Sequence, residues 1–239
     1  MLRWESANTS QITSIRGAKA AFSCPALSLW PYKFVLGLLQ HVLKLGAKLY
    51  TWTPVTSMER VASDGETNNF PASLKGLTAL HTDRGTTLAR RVVFATNGYV
   101  SNLLSLYDKT IIPIRGTACH VLRRDPSESV EWAASPEYGQ LITTYNVHGS
   151  PTSKEYLNPR PDGSIVFGGG HPLYRENKKL WYDSVDDSTL IDGVKERWFD
   201  GYMGRHFRSW DQNGKNETID YTWTGSECPY RKAYIDVSR

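Results

Sequence analysis

Residues 91–104, RVVFATNGYVSNLL, begin with a short apolar run, which ends at the small and polar residues Thr96-Asn97-Gly98. A second group of apolar residues follows. An apolar run without alternation is typical of a strand covered on both faces, as in a parallel sheet. Open α/β sheets bind ligands just beyond the carboxyl ends of such strands, where small residues let a ligand approach the backbone. The stretch therefore predicts a buried strand at 91–96 that ends either at a ligand site or in a plain strand-to-helix turn.

The composition is that of an ordinary globular protein. The 239 residues are 40% hydrophobic and 22% charged, and 28 basic residues are interspersed with 24 acidic ones for a net charge of +4. This mildly basic pattern gives little support for nucleic-acid binding. No stretch reaches the ~18 apolar residues of a membrane span, and the first residues lack the pattern of a signal peptide. We therefore expect a soluble cytoplasmic protein without nucleic-acid or membrane partners, while a peroxisomal location of a longer form stays open.

The residue types that usually carry catalysis or bind metals follow no known pattern here. Cys24, Cys119 and Cys228 are widely spaced, and the histidines include no pair at metal-ligand spacing. Nucleophile-elbow, P-loop and HExxH motifs are absent. We therefore expect no disulfide framework and no metal site. The glycines at 168–170 lack GxGxxG spacing and follow a predicted hairpin, so a phosphate loop, a close approach by a flat group and a flexible strand exit all stay open.

Apolar periodicity predicts a helix followed by two groups of strands. Pro31 opens a helix that ends at a capping Gly46, and residues 47–61 suggest two strands divided by Pro54. A further helix is predicted after Asp186-Asp187-Ser188, with Leu190, Ile191, Val194 and Trp198 on one side. The other predicted strands lie in LTALHT, TTLAR, RVVFAT, IIPIRGTACHVL, GQLITTYNV, KEYLNPR, SIVFGGG and TIDYTWTG. Turn residues predict two hairpins among them, one around Asp83-Arg84-Gly85 and one at Pro161-Asp162-Gly163. Together these elements predict a two-layer α/β protein with an accessory antiparallel sheet.

Six segments in order resemble the FAD-dependent oxidoreductases of the D-amino-acid oxidase type, particularly the gamma-glutamylputrescine and related amine oxidases. They are SLWPYKF, GAKLYTWTPVTSMER, RRVVFATNGYVSNLL, IIPIRG, YLNPRPDGSIVFGGG and DYTWTG, and the similarity runs from about residue 14 to residue 225. Each motif is loose alone, but six in the right order argue against chance. The resemblance implies a mixed α/β (α+β) fold class, with an incomplete doubly wound FAD-binding domain and an antiparallel-sheet substrate domain that caps the isoalloxazine ring.

The resemblance also implies a division of the chain. Residues 1–30 would lead into the substrate domain, residues 31–112 would form a partial FAD-binding domain with a β-meander, residues 113–217 would form the substrate domain, and residues 218–239 would form a return strand with a divergent tail. Two family elements have no counterpart in the sequence: the opening strand with GxGxxG, which grips the pyrophosphate, and the flavin loop that follows the WTG strand. We therefore expect a fragment, a misassigned gene model or a degenerate copy.

The resemblance assigns seven residues to the cofactor. Pro54 and Val55 match the short strand whose backbone meets the adenine, and Thr96, Asn97 and Gly98 match the strand end beside the ADP portion. Arg115-Gly116 matches the strand that passes the flavin on its way into the substrate domain. A small polar strand end would thus make room for the dinucleotide to approach the backbone.

Further residues are implied in the substrate pocket. Tyr156, Gly169 and Gly170 match the hairpin that faces the pocket, and Trp223 is expected to form an aromatic wall. Arg115 and Tyr156 are expected to supply the polar groups of the pocket. For aromatic residues such as Tyr156 and Trp223, taken singly, packing in the core is the more common role, and it stays open here.

The reaction implied by the resemblance is oxidation of a C–N bond in an amine or amino acid. In this family hydride passes from the substrate carbon to the flavin, the imine hydrolyses and oxygen reoxidises the flavin, so no side chain need act as an acid or base. We expect weak FAD binding or none, because the charge-assisted hydrogen bonds of a GxGxxG loop, ~1.5–3 kcal/mol each, are missing. An inactive remnant that does not retain FAD, and a small-molecule binding or interaction module, therefore stay open as alternatives.

Overall fold

The computed structural model describes residues 2–4, 9–61, 70–123, 143–208, 210 and 217–227. These residues fall into two compact units, the first within Met1–Ser28 and Pro113–Pro229 and the second within Leu29–Ile112. The strands are β1 Leu2–Trp4, β2 Ala21–Ser23, β3 Val55–Arg60, β4 Thr78–Thr82, β5 Gly85–Ala89, β6 Ile114–Arg123, β7 Tyr145–Ser150, β8 Ser153–Pro159, β9 Ile165–Gly169 and β10 Glu217–Glu227. The helices are α1 Thr9–Thr13, α2 Pro31–Lys44, α3 His171–Tyr174 and α4 Tyr202–His206, with a π-helical segment at Lys195–Phe199 and 3-10 turns at Ala72–Leu74, Asn97–Asn102, Ser105–Tyr107 and Lys178–Leu180. None of the described helices has the length and apolar character needed to cross a membrane.

The first unit is built on a five-stranded antiparallel sheet with the strand order β10–β6–β9–β8–β7. Side chains alternate between the two faces of a strand, and the register fixes which residues share a face. Cys119, Phe167 and Leu157 stand opposite one another on β6, β9 and β8, and all three are buried. We call the face that they share the covered face.

The core of the first unit lies between the covered face and the segments that follow β9. The ring of Phe167 lies 5.0 Å from that of Phe199 and 4.3 Å from that of Tyr202, centroid to centroid. Complete burial of one such aromatic side chain is worth about 1.5–3 kcal/mol. The same cluster also contains Val121, Ile165, Tyr174, Ile191, Val194, Met203, Phe207, Trp210 and Ile219.

The second unit contains α2 and a three-stranded antiparallel sheet, β3–β4–β5. The predicted helix is confirmed over Pro31–Lys44, and Gly46 follows it with φ +96° and donates its N–H to the Leu43 carbonyl at 3.0 Å. The left-handed glycine ends the helix as predicted. None of the residues of α2 is buried against the rest of the described structure, and Phe34 is 53% exposed.

The predicted hairpins are confirmed in both units. Asp83-Arg84 joins β4 to β5, and the turn is held by Thr82, whose hydroxyl donates to the Gly85 carbonyl at 2.7 Å. Residues 160–164 join β8 to β9, where Gly163 has φ +80°. Residues 139–142 of the predicted strand GQLITTYNV, Cys228 and the divergent tail after it lie outside the described residues.

The predicted strand at residues 91–96 is wrong. The segment forms no strand, and Val93 is 88% exposed. An apolar run becomes a buried strand only when neighbouring strands pair with its backbone on both sides. The described strands of the second unit, β3 to β5, pair only with one another, so the run lacks the paired neighbours that would bury it completely.

Two further predictions of secondary structure are wrong. The strand expected before Pro54 is absent, because Trp52 has φ +53°, which interrupts an extended backbone. The helix expected after Ser188 reduces to the π-helical turn at Lys195–Phe199, because Gly193 takes φ +73°, a value outside the right-handed helical region.

Candidate functional site

The face of the five-stranded sheet opposite the covered face carries two aromatic residues separated by two small ones. The register places Trp223 opposite Ala118, Ala118 opposite Gly168, and Gly168 opposite Tyr156, in one row across β10, β6, β9 and β8. Residues in register on one sheet face are direct neighbours. We call this the aromatic face, and its two small residues, Ala118 and Gly168, lie buried between the two aromatic residues.

The Tyr156 ring leans across Gly168. A methyl group placed on Gly168 would lie 2.0 Å from Cζ and 2.2 Å from Oη of Tyr156, so only glycine leaves room for the ring. Tyr156 is 44% exposed. Partial burial raises the pKa of Tyr156, and the negative charge of Glu227 acts in the same direction. The hydroxyl therefore stays protonated at neutral pH and can donate a hydrogen bond.

Beside this row two facing glycines leave the backbone without side chains, and we call this surface the bare patch. Gly116 and Gly225 stand opposite each other on β6 and β10, two residues from Ala118 and Trp223 and therefore on the same face. A methyl group on Gly225 would meet nothing within 4 Å, and one on Gly116 would meet only Glu227 Oε1 at 3.9 Å. Neither glycine has a positive φ. Packing within the first unit thus does not require these glycines, and the patch leaves space for a flat group against the backbone.

The other end of the aromatic face is polar. Nδ1 of His120 lies 2.9 Å from Oδ1 of Asp220, and Nη1 of Arg160 lies 3.2 Å from Nε2 of His120. Because a guanidinium can only donate, Nε2 accepts and the proton sits on Nδ1, from which it is donated to Asp220. A bulge in β10 between Ile219 and Tyr221 places Asp220 at this position. No pattern in the sequence indicates this triad of His120, Asp220 and Arg160, because the bulge shifts the register that brings it together.

Arg115, which was expected to provide pocket polarity, is buried on the covered side of β6. Its guanidinium donates to the Leu180 carbonyl at 3.1 Å, to the Thr189 carbonyl, and to the Thr189 hydroxyl at 3.0 Å. Its Nε is buried and has no partner among the described residues. These bonds tie β6 to the loop that follows β9, and the structure therefore gives Arg115 a structural role.

Gly169 and Gly170 also lie apart from Tyr156. A methyl group on Gly169 would lie 2.7 Å from Cγ of Glu155, and one on Gly170 would lie 2.9 Å from Cγ1 of Val194. Both contacts are on the covered face. The structure thus brings together Tyr156, Trp223 and Gly116 of the expected site, and it places Gly169 and Gly170 on the opposite side of the sheet.

The five other residues expected at the cofactor belong to the second unit. Pro54 precedes β3, and Val55 begins it as the partner of Thr82. Thr96 precedes the 3-10 turn Asn97–Asn102, in which Asn97 has φ +48° and Gly98 is buried. The expected turn after residue 96 is thus present. That Val55 and Asn97 share a crevice for adenosine stays a prediction.

Comparison with known proteins assigns the family. Residues 3–237 match the family model described as FAD dependent oxidoreductase (DAO). The chain belongs to this family of FAD-dependent oxidoreductases. The resemblance that the six sequence segments indicated is therefore confirmed, as is the mixed α/β fold class.

The individual relatives are distant and longer. The probable oxidoreductase OrdL of Rhizobium meliloti (strain 1021) is 26% identical over 151 residues, which are 62% of this chain and 29% of OrdL. Glycine oxidase from Geobacillus kaustophilus has a TM-score of 0.52 at 16% identity, over 82% of this chain and 41% of the oxidase. The open form of NikD, an unusual amino acid oxidase of nikkomycin biosynthesis, has a TM-score of 0.59 at 15% identity, over 94% of this chain and 52% of NikD. These structures establish the fold, and the chain spans about half their length or less.

Proposed function

We propose that the aromatic face forms the substrate side of a flavin-dependent oxidase that acts on the C–N bond of an amine or amino acid. The observation that carries this proposal is the bare backbone at Gly116 and Gly225 beside the rings of Trp223 and Tyr156. A family member needs a surface where a flat ring and a small substrate lie against each other, and this patch is a surface of that kind. The amino acid oxidases among the structural relatives support the substrate class.

The residues of this face fit the isoalloxazine ring of FAD. Gly116 and Gly225 would lie under the flat ring, since a methyl group at either position would occupy open space. Bound FAD would supply the acceptor for the hydride that leaves the substrate carbon. Trp223 and Tyr156 would hold the carbon skeleton of the substrate and exclude water, and the Tyr156 hydroxyl would donate a hydrogen bond that orients it.

The proposal is tested by anaerobic reduction of FAD. The purified chain is mixed with excess FAD and with a panel of primary amines, secondary amines, and D- and L-amino acids, and the loss of flavin absorbance is followed. Excess cofactor is needed because we expect FAD to bind more weakly than about 1 μM without a GxGxxG loop. At least one class should reduce the flavin, and admission of oxygen should restore its absorbance.

Variants show whether the aromatic face is responsible. We expect Trp223→Ala and Tyr156→Ala each to slow flavin reduction at least ~10-fold, a loss of about 1.4 kcal/mol in the barrier. Tyr32→Ala is the matched control, because Tyr32 is an exposed aromatic residue of α2 in the second unit. Reduction by both face variants at the wild-type rate would refute the assignment of the substrate side to this face.

A second candidate function is that of a non-catalytic chain that does not retain FAD. The exposure of the apolar side chains of α2 and of Val93 favours it, because a cofactor-loaded unit would be expected to bury them. Gel filtration after incubation with FAD tests the second candidate, and flavin reduction at saturating FAD tests the first. Coelution of stoichiometric flavin would exclude the second candidate, and complete absence of reduction by the whole panel at saturating FAD would establish it over the first.

A further inference from the structure

A cavity of about 300 Å³ lies in the first unit on the covered side of the sheet. Its wall is formed by the β7–β8 hairpin, by Pro172 of α3, and by the helical segments that carry Trp198, Tyr202 and His206. The aromatic face lies on the other side of the same sheet. The cavity is therefore separate from the site of the proposed oxidation, and its volume suits a small molecule of a few non-hydrogen atoms.

A buried carboxylate lines this cavity. Glu155 is 2% exposed, and the Ser153 hydroxyl lies 2.8 Å and 2.7 Å from its two oxygens. The hydroxyl donates one hydrogen bond and the backbone N–H of Glu155 donates another, whereas a carboxylate offers about four acceptor sites. Glu155 forms no ion pair with any residue in the described part of the chain. Burial of a carboxylate without a neighbouring cation is unfavourable in free energy. A cationic ligand could supply the partner that Glu155 lacks.

The rest of the cavity wall combines three aromatic rings with small and aliphatic residues, and it carries no second formal charge. The rings of Tyr202 and His206 are stacked with centroids 4.0 Å apart, and Nδ1 of His206 lies 2.9 Å from the Tyr202 carbonyl. Burial lowers the pKa of His206, and the nearby charge of Arg205 lowers it further, so His206 is neutral at pH 7. The Arg205 guanidinium is occupied by the Asp200 and Trp198 carbonyls at 2.6 Å and 2.7 Å.

We infer that this cavity binds a small organic ammonium ion, whose charge pairs with Glu155 and whose carbon atoms lie against Trp198 and Tyr202. An ammonium group brings the donors that the carboxylate lacks, and aromatic faces attract cations. A neutral molecule of the same shape would leave the carboxylate unpaired, and an anion would be repelled by it. The inference does not depend on the proposed oxidation, which takes place on the opposite face.

The test uses the full chain without flavin and measures heats of binding by isothermal titration calorimetry. The probe is n-butylammonium chloride, and 1-butanol is its uncharged counterpart. We expect the ammonium ion to bind with 1:1 stoichiometry, and Glu155→Gln to weaken it roughly ten- to hundredfold. Glu176→Gln is the matched control, because Glu176 is exposed and the substitution removes the same charge. Equal affinity of the Glu155→Gln and wild-type chains would overturn the inference.

Two measurements keep the inference testable if Glu155→Gln does not fold. On the wild-type chain, butanol that binds as tightly as butylammonium would overturn it. Burial raises the pKa of Glu155, against weaker opposing effects of Ser153 and His148, so binding should strengthen as pH rises through this raised pKa, which lies above the ordinary ~4.3 for glutamate. The other titratable groups of the wall, Tyr202 and His206, stay neutral near pH 7. If the Glu155→Gln chain folds, it should reduce flavin at the wild-type rate. Loss of ammonium binding and loss of flavin reduction can therefore be told apart, and so can failure of this inference and failure of the proposed function.

Discussion

Replacement of Gly168 by alanine tests the geometry of the aromatic face most sharply. The added methyl would lie 2.0 Å from Cζ of Tyr156, so the tyrosine ring must leave its position. Forcing an extra methyl into a packed position costs about 1–3 kcal/mol. The backbone at residue 168 does not take a positive φ, so alanine also gains about 0.4–1 kcal/mol from the reduced entropy of the unfolded chain. We expect Gly168→Ala to lower the free energy of unfolding by up to about 2.6 kcal/mol, the cost of the clash less the entropic gain.

The same substitution should change sign once the ring is removed. In a Tyr156→Ala background no ring opposes the methyl, and Gly168→Ala should then stabilise the protein by about 0.4–1 kcal/mol. Urea unfolding of the wild type, both single variants and the double variant gives the coupling energy between the two positions. The same destabilisation in both backgrounds would refute the placement of the Tyr156 ring over Gly168.

Four further substitutions test the core and the covered face by urea unfolding. Phe167→Ala should cost about 3–5 kcal/mol, because it empties the centre of the cluster, and a cost below about 1 kcal/mol would contradict its complete burial. Gly170→Ala should cost about 1–3 kcal/mol, because φ is +84° and the methyl would lie 2.9 Å from Val194; a neutral effect would contradict that contact. Arg115→Met should cost about 2–3 kcal/mol, because it removes the charge-assisted hydrogen bonds of a buried guanidinium to Leu180 and Thr189, whereas a purely ligand-binding role predicts unchanged stability. Burial raises the pKa of Glu155 in the folded state, so the free energy of unfolding should fall as pH rises from ~4.3, the ordinary value, through the folded-state pKa. Glu155→Gln should remove this fall. A variant with the same pH profile of stability as the wild type would contradict the raised pKa.

Local signals in the sequence were sufficient for most of the individual elements. Pro31 and Gly46 bounded α2 because proline suits a first helical turn and glycine suits a left-handed cap. Turn residues likewise located both confirmed hairpins, since a hairpin is decided by residues close together in the chain. The family was also recognisable, because it depends on the order of short segments.

Non-local features could not be predicted from the sequence. The neighbours of residues 91–96 decide whether that run is a strand, and nothing within the run specifies them. The register of β9 with β6 and β8 decides on which face of the sheet each glycine at 168–170 lies. Only the structure could therefore show that Gly168 lies on the aromatic face and Gly169 and Gly170 on the covered face. For the same reason the pair Gly116–Gly225 was missed, although Gly116 itself was expected at the flavin.

Titration of FAD fluorescence tests the role of the bare patch most directly. Gly116→Trp puts an indole into the space against the backbone, where an added methyl would meet only Glu227 Oε1 at 3.9 Å, and Gly37→Trp is the matched control, because Gly37 lies on α2 with nothing within 4 Å of an added methyl. We predict that the wild-type chain binds FAD with a Kd above about 1 μM, that Gly116→Trp weakens binding at least ~10-fold, and that Gly37→Trp leaves it unchanged. Equal binding of FAD by Gly116→Trp and the wild type, or no binding by the wild type at any accessible concentration, would contradict the assignment of this face to the flavin.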